Sequence, residues 1–124
     1  MSIVISWIKA VILHADVITI IMDSLRQLEP EYYKLDAVSI MPNHIHLLFQ
    51  QNVELKIIMQ KIKGTTARLV NKHLLKQGSL WERGYFDNAI RDERHFRLVY
   101  DYIKNNAVKA NLHNAQQRFY GIYD

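Results

Sequence analysis

The feature of this sequence that most limits its fold is the spacing of its apolar residues. Segments with the spacing of strands alternate along the chain with segments that have the spacing of helices. β-Branched and aromatic residues predict a first strand at residues 2–8 and a fourth strand within 81–91, after a loop. Two further strands are predicted at 34–40 and 44–50. The Met41-Pro42-Asn43 break between them is typical of a turn that joins an antiparallel pair.

Three other segments have apolar residues at helical spacing. The first is predicted to begin with Asp16 as its N-cap and to be ended by Pro30. The second spans residues 55–75, before the next glycine. The third is predicted to be capped by Asp92 and to run to about residue 106.

The resulting order is strand, helix, strand, strand, helix, strand, followed by one more helix. This order predicts an α+β fold, a ferredoxin-like antiparallel sheet with helices on one face plus an appended C-terminal helix. With only two prolines, four glycines and no polar linker, residues 1–124 are expected to form a single domain.

The composition narrows the functional classes. A formal net charge of +4 and a pI near 9.4 suit a polyanionic partner such as nucleic acid. The absence of cysteine excludes disulfides and thiolate metal sites, which favours a reducing, cytoplasmic setting. No apolar run approaches the ~20 residues that a bilayer requires, so no membrane association is expected.

His44 and His46 stand one residue apart at the start of a predicted strand. Because strand side chains alternate between faces, both imidazoles point to one face, while Ile45, Leu47 and Phe49 point into the core. Two imidazoles one pleat apart can share a divalent cation if protein, water or substrate supplies further ligands. The pair is also compatible with two surface histidines on a half-buried strand.

The third predicted helix carries His95, Tyr102 and Asn106 on one stripe, away from its apolar side. A helix packed by that apolar side would present Tyr102 and Asn106 to the histidine pair, where Asn106 could offer a carbonyl oxygen to the metal. His95 is a candidate general base. The alternatives are a tyrosine half buried at an interface and an asparagine pair that ends the helix.

Basic and aromatic side chains on the second helix and in the following loop are the predicted contacts to DNA. The cations could neutralise phosphates, and the aromatic rings could stack on unpaired bases. A solvated helix face beside core aromatics would have the same pattern. The residues are Lys56, Lys61, Lys63, Arg68, Lys72, Trp81, Arg83, Tyr85 and Phe86.

Four segments carry a resemblance to a known family. They are IMPNHIHLLF at 40–49, IMQKIKG at 58–64, LWERGYFD at 80–87 and DYIKNNAVKA at 101–110. In this order, and over residues 13–112, they resemble the single-domain HUH tyrosine transposases of the IS200-like family, above all the REP-associated tyrosine transposases.

This resemblance implies that Tyr102 is a nucleophile and that His44, His46 and Asn106 hold a divalent metal, Mg or Mn. It implies nicking and rejoining of single-stranded or hairpin DNA through a 5′-phosphotyrosine, by a monomer or a homodimer. Tyr100 is the competing tyrosine, but its distance from the asparagine pair does not match the family and its angle places it toward the core. Two rival functions are a catalytically inactive module that binds DNA hairpins and a metal-dependent hydrolase unrelated to DNA.

Overall fold

An antiparallel sheet of five strands forms the centre of the computed structural model, which describes residues 1–9 and 14–123. In chain order the strands are β1 (Ser2–Trp7), β2 (Tyr33–Ile40), β3 (His44–Gln51), β4 (Phe86–Ala89) and β5 (Phe119–Gly121). They lie in the order β4-β1-β3-β2-β5, with antiparallel neighbours throughout. The first four strands have the ferredoxin-like order, so the predicted α+β fold is confirmed.

Helices lie on both sides of this sheet: α1 (Ala15–Gln27), α2 (Leu55–Leu74) and α3 (Glu93–Lys109). Helices α1 and α2 pack together over the larger core, on one face. Helix α3 lies on the opposite face, where Tyr100 and Ile103 pack against Ala37 and Leu48, and it contacts mainly β2 and β5. The appended helix of the prediction is therefore α3.

The period-two alternation of β3 assigns its side chains to these two faces. Ile45, Leu47 and Phe49 are fully buried in the core beneath α1 and α2. Leu48 faces α3, and His46 lies on that same side. The histidines therefore share a face with the appended helix.

The first helix begins differently from the prediction. His14 occupies the N-cap, and Asp16 lies inside the first turn. The Asp16 carboxylate accepts a hydrogen bond from Nε2 of His73 on α2, and this bond lowers the pKa of Asp16. A carboxylate in the first turn interacts favourably with the helix dipole, so Asp16 stabilises this end without capping it.

The other helix boundaries follow the sequence more closely. Leu75, in the left-handed conformation with φ 56°, ends α2 where the prediction placed its end. Asp92 caps α3 as predicted, because its Oδ1 accepts a hydrogen bond from the His95 backbone N–H at 2.7 Å. Helix α3 continues past Asn106 to Lys109, so Asn106 is not a C-cap.

Strand β5 was absent from the sequence-based prediction. It adds three residues to the outer edge of β2, with Phe119 opposite Ser39 and Gly121 opposite Ala37. A Cβ at Gly121 would lie 2.1 Å from the Tyr100 hydroxyl oxygen, so glycine is the residue that lets α3 and β5 meet.

Residues 10–13 and 124 of the expected domain lie outside the described residues. Among the helices that are described, none combines the length and the apolar character that a membrane span requires.

Candidate active site

His44 and His46 lie side by side on the α3 face of the sheet, with ring centroids 4.9 Å apart. Burial lowers the pKa of His44. Burial also lowers the pKa of His46 to about 4, and the nearby His44 contributes to this shift. Both imidazoles are therefore uncharged at neutral pH, which is the form that binds a metal cation.

Asn43 fixes the orientation of the His44 ring. Its Oδ1 lies 2.7 Å from His44 Nδ1 and can only accept a hydrogen bond, so the proton resides on Nδ1. The opposite nitrogen, Nε2, is left with a free lone pair. Asn43 was predicted only as part of a turn, although an amide directly before the first histidine is a signal for this contact.

Helix α3 brings Tyr102 to the same place. The Tyr102 ring lies edge-on to His46, with centroids 5.5 Å apart, and the residue is 54% exposed. Tyr100 is buried, and its hydroxyl accepts a hydrogen bond from the Tyr123 backbone N–H at 3.0 Å. Of the two tyrosines, Tyr102 is the one that a substrate can reach.

Asn106, one turn after Tyr102, contacts the same imidazole. Its Nδ2 lies 3.0 Å from Nδ1 of His46. Rotation of the amide by about half a turn would place its oxygen at this position instead. The neighbouring Asn105 bonds to the Asp101 carbonyl of its own helix at 2.9 Å, so the two asparagines have different partners.

His95 is not placed to act as the general base of Tyr102. It lies in the first turn of α3, seven residues and about 10 Å along the axis from Tyr102. Its Nδ1 accepts a hydrogen bond from the Arg91 backbone N–H at 3.0 Å. The sequence placed both residues on one stripe correctly, but two helical turns separate them.

The side chains around His46 fit a divalent cation that takes part of its coordination from substrate. Within the described part of the chain, no three His, Cys, Asp or Glu side chains come together. Two neutral imidazoles and the Asn106 amide would leave the remaining positions to water or phosphate oxygens. Ser39, opposite His46 on β2, adds a buried hydroxyl that has no hydrogen-bond partner among the described residues.

The predicted DNA contacts on α2 lie away from this cluster, because α2 packs on the other face of the sheet. These cations are exposed, which is compatible with binding phosphates but does not bring them to the histidines. They are Lys56, Lys61, Arg68 and Lys72.

Lys63 links α2 to the loop that precedes β4. Its Nζ donates hydrogen bonds to the carbonyl oxygens of Glu82 at 3.1 Å and Gly84 at 2.7 Å, and burial lowers its pKa. The same nitrogen lies 5.8 Å from the centre of the Tyr85 ring. Arg83, within this loop, is exposed. Lys63 is thus held by the protein itself, whereas Arg83 is open to a ligand.

Trp81 belongs to the core, contrary to its predicted role in stacking on DNA. The residue is 5% exposed, and its Nε1 donates a hydrogen bond to Thr66 Oγ1 at 2.8 Å. A base could stack on this ring only if the core opened. The aromatic pattern of the loop therefore included a residue that serves packing.

A family model described as "Transposase IS200 like" matches residues 3–106, and the chain belongs to this family. The matched segment includes His44, His46, Tyr102 and Asn106.

Two proteins of Haemophilus influenzae are similar in sequence. One, named as a REP-associated tyrosine transposase, is 32% identical over an alignment of 93 residues, and the match covers 64% of this chain and 53% of the relative. The other, of unassigned function, is 26% identical over an alignment of 98 residues, and the match covers 60% of this chain and 54% of the relative. The chain thus spans about half the length of these curated relatives.

Two solved structures share the fold. A REP-associated tyrosine transposase bound to a REP hairpin superposes with a TM-score of 0.73 at 15% identity, covering 90% of this chain and 68% of that one. A protein described as a transposase from Deinococcus radiodurans gives a TM-score of 0.63 at 24% identity, covering 85% and 89%.

Proposed function

We propose that this chain nicks and rejoins single-stranded DNA, with Tyr102 as the nucleophile and a 5′-phosphotyrosine as the intermediate. The observation that carries the proposal is the meeting of Tyr102 with His46 at 5.5 Å between ring centroids. The two residues come from elements far apart in sequence, and membership of the transposase family supports the same reading.

This meeting occurs within one chain. His44, His46, Tyr102 and Asn106 are contributed by β3 and α3 of the same molecule. A single chain therefore carries every side chain to which the proposal gives a role in the reaction. A homodimer is not required to bring these side chains together.

The proposed step is a transesterification. The Tyr102 hydroxyl oxygen forms a bond to the scissile phosphorus, and the bond from phosphorus to the 3′-oxygen of the preceding nucleotide breaks. The phenolic proton ends on that oxygen, so the products are a 5′-phosphotyrosine and a free 3′-hydroxyl. Since the phosphodiester is conserved, a 3′-hydroxyl can attack the phosphotyrosine and restore a DNA strand without ATP.

A phenol with a pKa near 10 is a weak nucleophile at neutral pH and needs electrostatic help. His44, His46 and Asn106 would hold a divalent cation, Mg or Mn, which polarises the scissile phosphate and stabilises the transition-state charge. Asn43 keeps the His44 lone pair available for that role.

The DNA partner is proposed to be a single strand or a hairpin. The solved relative was bound to a REP hairpin, and the positive charge of this chain suits the same kind of partner. Exposed Arg83 lies in the loop before β4, which is hydrogen-bonded to Lys63 of α2 and, through the Glu82 N–H, to the Trp7 carbonyl at the end of β1. A strand that follows this edge could contact both surfaces.

A covalent-adduct assay tests the proposal. The substrate is a library of hairpin oligonucleotides with randomised single-stranded flanks, labelled with different dyes at the two ends and incubated with Mn²⁺. We expect the 3′ dye to move with the protein on a denaturing gel and the 5′ dye to move with a shorter free strand. Sequencing DNA from the adduct would then identify the target.

The rival functions predict other results. Hairpin binding without an adduct or a shortened strand would indicate a catalytically inactive DNA-binding module. Strand scission without any protein-linked dye would indicate hydrolysis, and either result would contradict the phosphotyrosine chemistry.

Asn43→Ala is expected to weaken Mn²⁺ binding by about 10- to 100-fold, because the His44 ring loses the partner that fixes its tautomer. Titration calorimetry on the folded protein measures this. Asn105→Ala, which removes an amide bonded to its own helix, is the matched control and should bind as wild type does. Equal Mn²⁺ affinities for the wild type, Asn43→Ala and Asn105→Ala would show that Asn43 does not support metal binding.

A further inference from the structure

Trp7 lies beside the candidate active site, although no step of the proposed chemistry uses it. It is the last residue of β1 and the direct cross-strand partner of His44. The two rings are 6.5 Å apart between centroids and inclined by 30°. Directly paired residues project from the same face of a sheet, so the indole shares the face of the histidines and α3.

Trp7 is 43% exposed, whereas the only other tryptophan, Trp81, is buried and hydrogen-bonded through its indole nitrogen. Leaving a large aromatic ring in water forgoes the favourable burial of its apolar surface. The exposure follows from the position of α3, which contacts mainly β2 and β5 and leaves the β1 and β4 side of the face open.

A second exposed aromatic ring lies on the same open area. Phe86 of β4 is 51% exposed and is paired with Ile5, which is in turn paired with His46. Phe86 is thus two strands, or about 10 Å, from His46. Trp7 and Phe86 are thus exposed rings on the β1–β4 side of the histidine pair, and Tyr102 of α3 is a third exposed ring beside His46.

We propose that Trp7 is a base-stacking platform that positions the DNA strand for attack by Tyr102. This inference rests on the proposed function. One unpaired base stacks on the indole while the adjoining phosphate lies at His44 and His46, and Phe86 receives a further base across β1. Stacking accepts any base, because each base has an aromatic face, so Trp7 contributes affinity and alignment without reading sequence.

Single-stranded DNA is the occupant that matches this surface. The rings adjoin the groups proposed to receive a phosphate, and the chain carries a formal net charge of +4. Aromatic rings beside cationic or metal-bound phosphate sites are the usual combination in proteins that bind single strands.

The test compares two probes, a short fluorescein-labelled oligothymidylate and an oligomer of the same length with an abasic sugar at each position. Both carry the same phosphates, but only the first has bases. We expect Trp7→Ala to weaken oligothymidylate binding by about ten-fold or more and to leave binding of the abasic oligomer unchanged. Trp7→Phe, which retains a ring, should recover most of the loss, and Lys72→Ala should weaken both probes alike.

A second measurement guards against misfolding of the variants. In the wild-type protein, oligothymidylate is expected to quench the exposed Trp7 fluorescence, while the abasic oligomer is not. Equal losses of affinity for the two probes in Trp7→Ala, or oligothymidylate binding without quenching, would overturn the inference. If a covalent adduct forms but Trp7 fluorescence is not quenched, the stacking role of Trp7 is refuted and the proposed nicking reaction is not. If Trp7 fluorescence is quenched but no adduct forms, the nicking reaction is refuted and the stacking role is not.

Discussion

Tyr102→Phe is expected to abolish the covalent protein–DNA adduct at this position, because phenylalanine has no oxygen that can bond to phosphorus. Strand cleavage is expected to slow on the order of 10⁴- to 10⁶-fold, as when other nucleophiles of covalent catalysis are removed. The substitution removes one oxygen atom. Because Tyr102 is 54% exposed, folding stability should change by no more than about 0.5 kcal/mol. Binding of Mn²⁺ and of hairpin DNA should persist, since the histidine pair and the proposed DNA contacts remain.

Tyr123→Phe is the matched control. This tyrosine is 69% exposed and loses the same atom, but its ring contacts are with Phe96 and Tyr100 of α3 and not with the histidines. We expect it to form the adduct at the wild-type rate. An adduct from Tyr102→Phe at a comparable rate would assign the nucleophile to another residue, and mass spectrometry of the linked peptide would identify it.

His46→Gln is expected to remove both Mn²⁺ binding and adduct formation, and to change how stability depends on pH. In the folded protein the pKa of His46 is about 4, whereas in the unfolded chain it is near the ordinary value of about 6.5. Between these values the unfolded chain binds more protons, so the free energy of unfolding of the wild type falls as the pH falls. The stability that His46 contributes is complete above about pH 6.5 and lost by about pH 4.

The lowered pKa of His46 should decrease the free energy of unfolding by roughly 3 kcal/mol as the pH falls from about 6.5 to about 4. One unit of pKa corresponds to about 1.4 kcal/mol. Urea denaturation of both proteins at several pH values measures it, and the wild-type minus His46→Gln difference isolates His46. The subtraction matters because burial also raises the pKa of Asp36. A raised carboxyl pKa makes the free energy of unfolding increase as the pH falls, which opposes the effect of His46. A difference that does not change between pH 6.5 and 4 would mean that His46 titrates normally in the folded protein.

The placement of the two histidines on one face could be predicted from the sequence because it depends only on the alternation of a single strand. The Asp92 cap and the end of α2 were likewise local features. The approach of Tyr102 to His46 was a weaker prediction, since it required knowing which face of the sheet α3 covers.

Features that depend on pairing between distant segments were missed. Strand β5 has only three residues and exists because β2 offers an edge for it. The position of Trp7 beside His44 follows from the register of β1 against β3, which no single segment specifies. Trp81 was predicted to stack on unpaired bases, with a core position as the alternative. The choice depends on a hydrogen bond from its indole nitrogen to Thr66 of α2, which no local pattern around Trp81 specifies.

Helix α3 places one accessible tyrosine beside one pair of histidines. The number of nucleophiles limits how many DNA ends one molecule could hold covalently at the same time. Under the proposed chemistry, each polypeptide can store one DNA terminus at a time. Excising a segment creates two such termini, so the cuts must either be made in succession by the same molecule, with release between them, or be divided between two molecules that act at the same locus. The stoichiometry of the proposed reaction would thus be set by the single tyrosine that α3 presents beside the sheet.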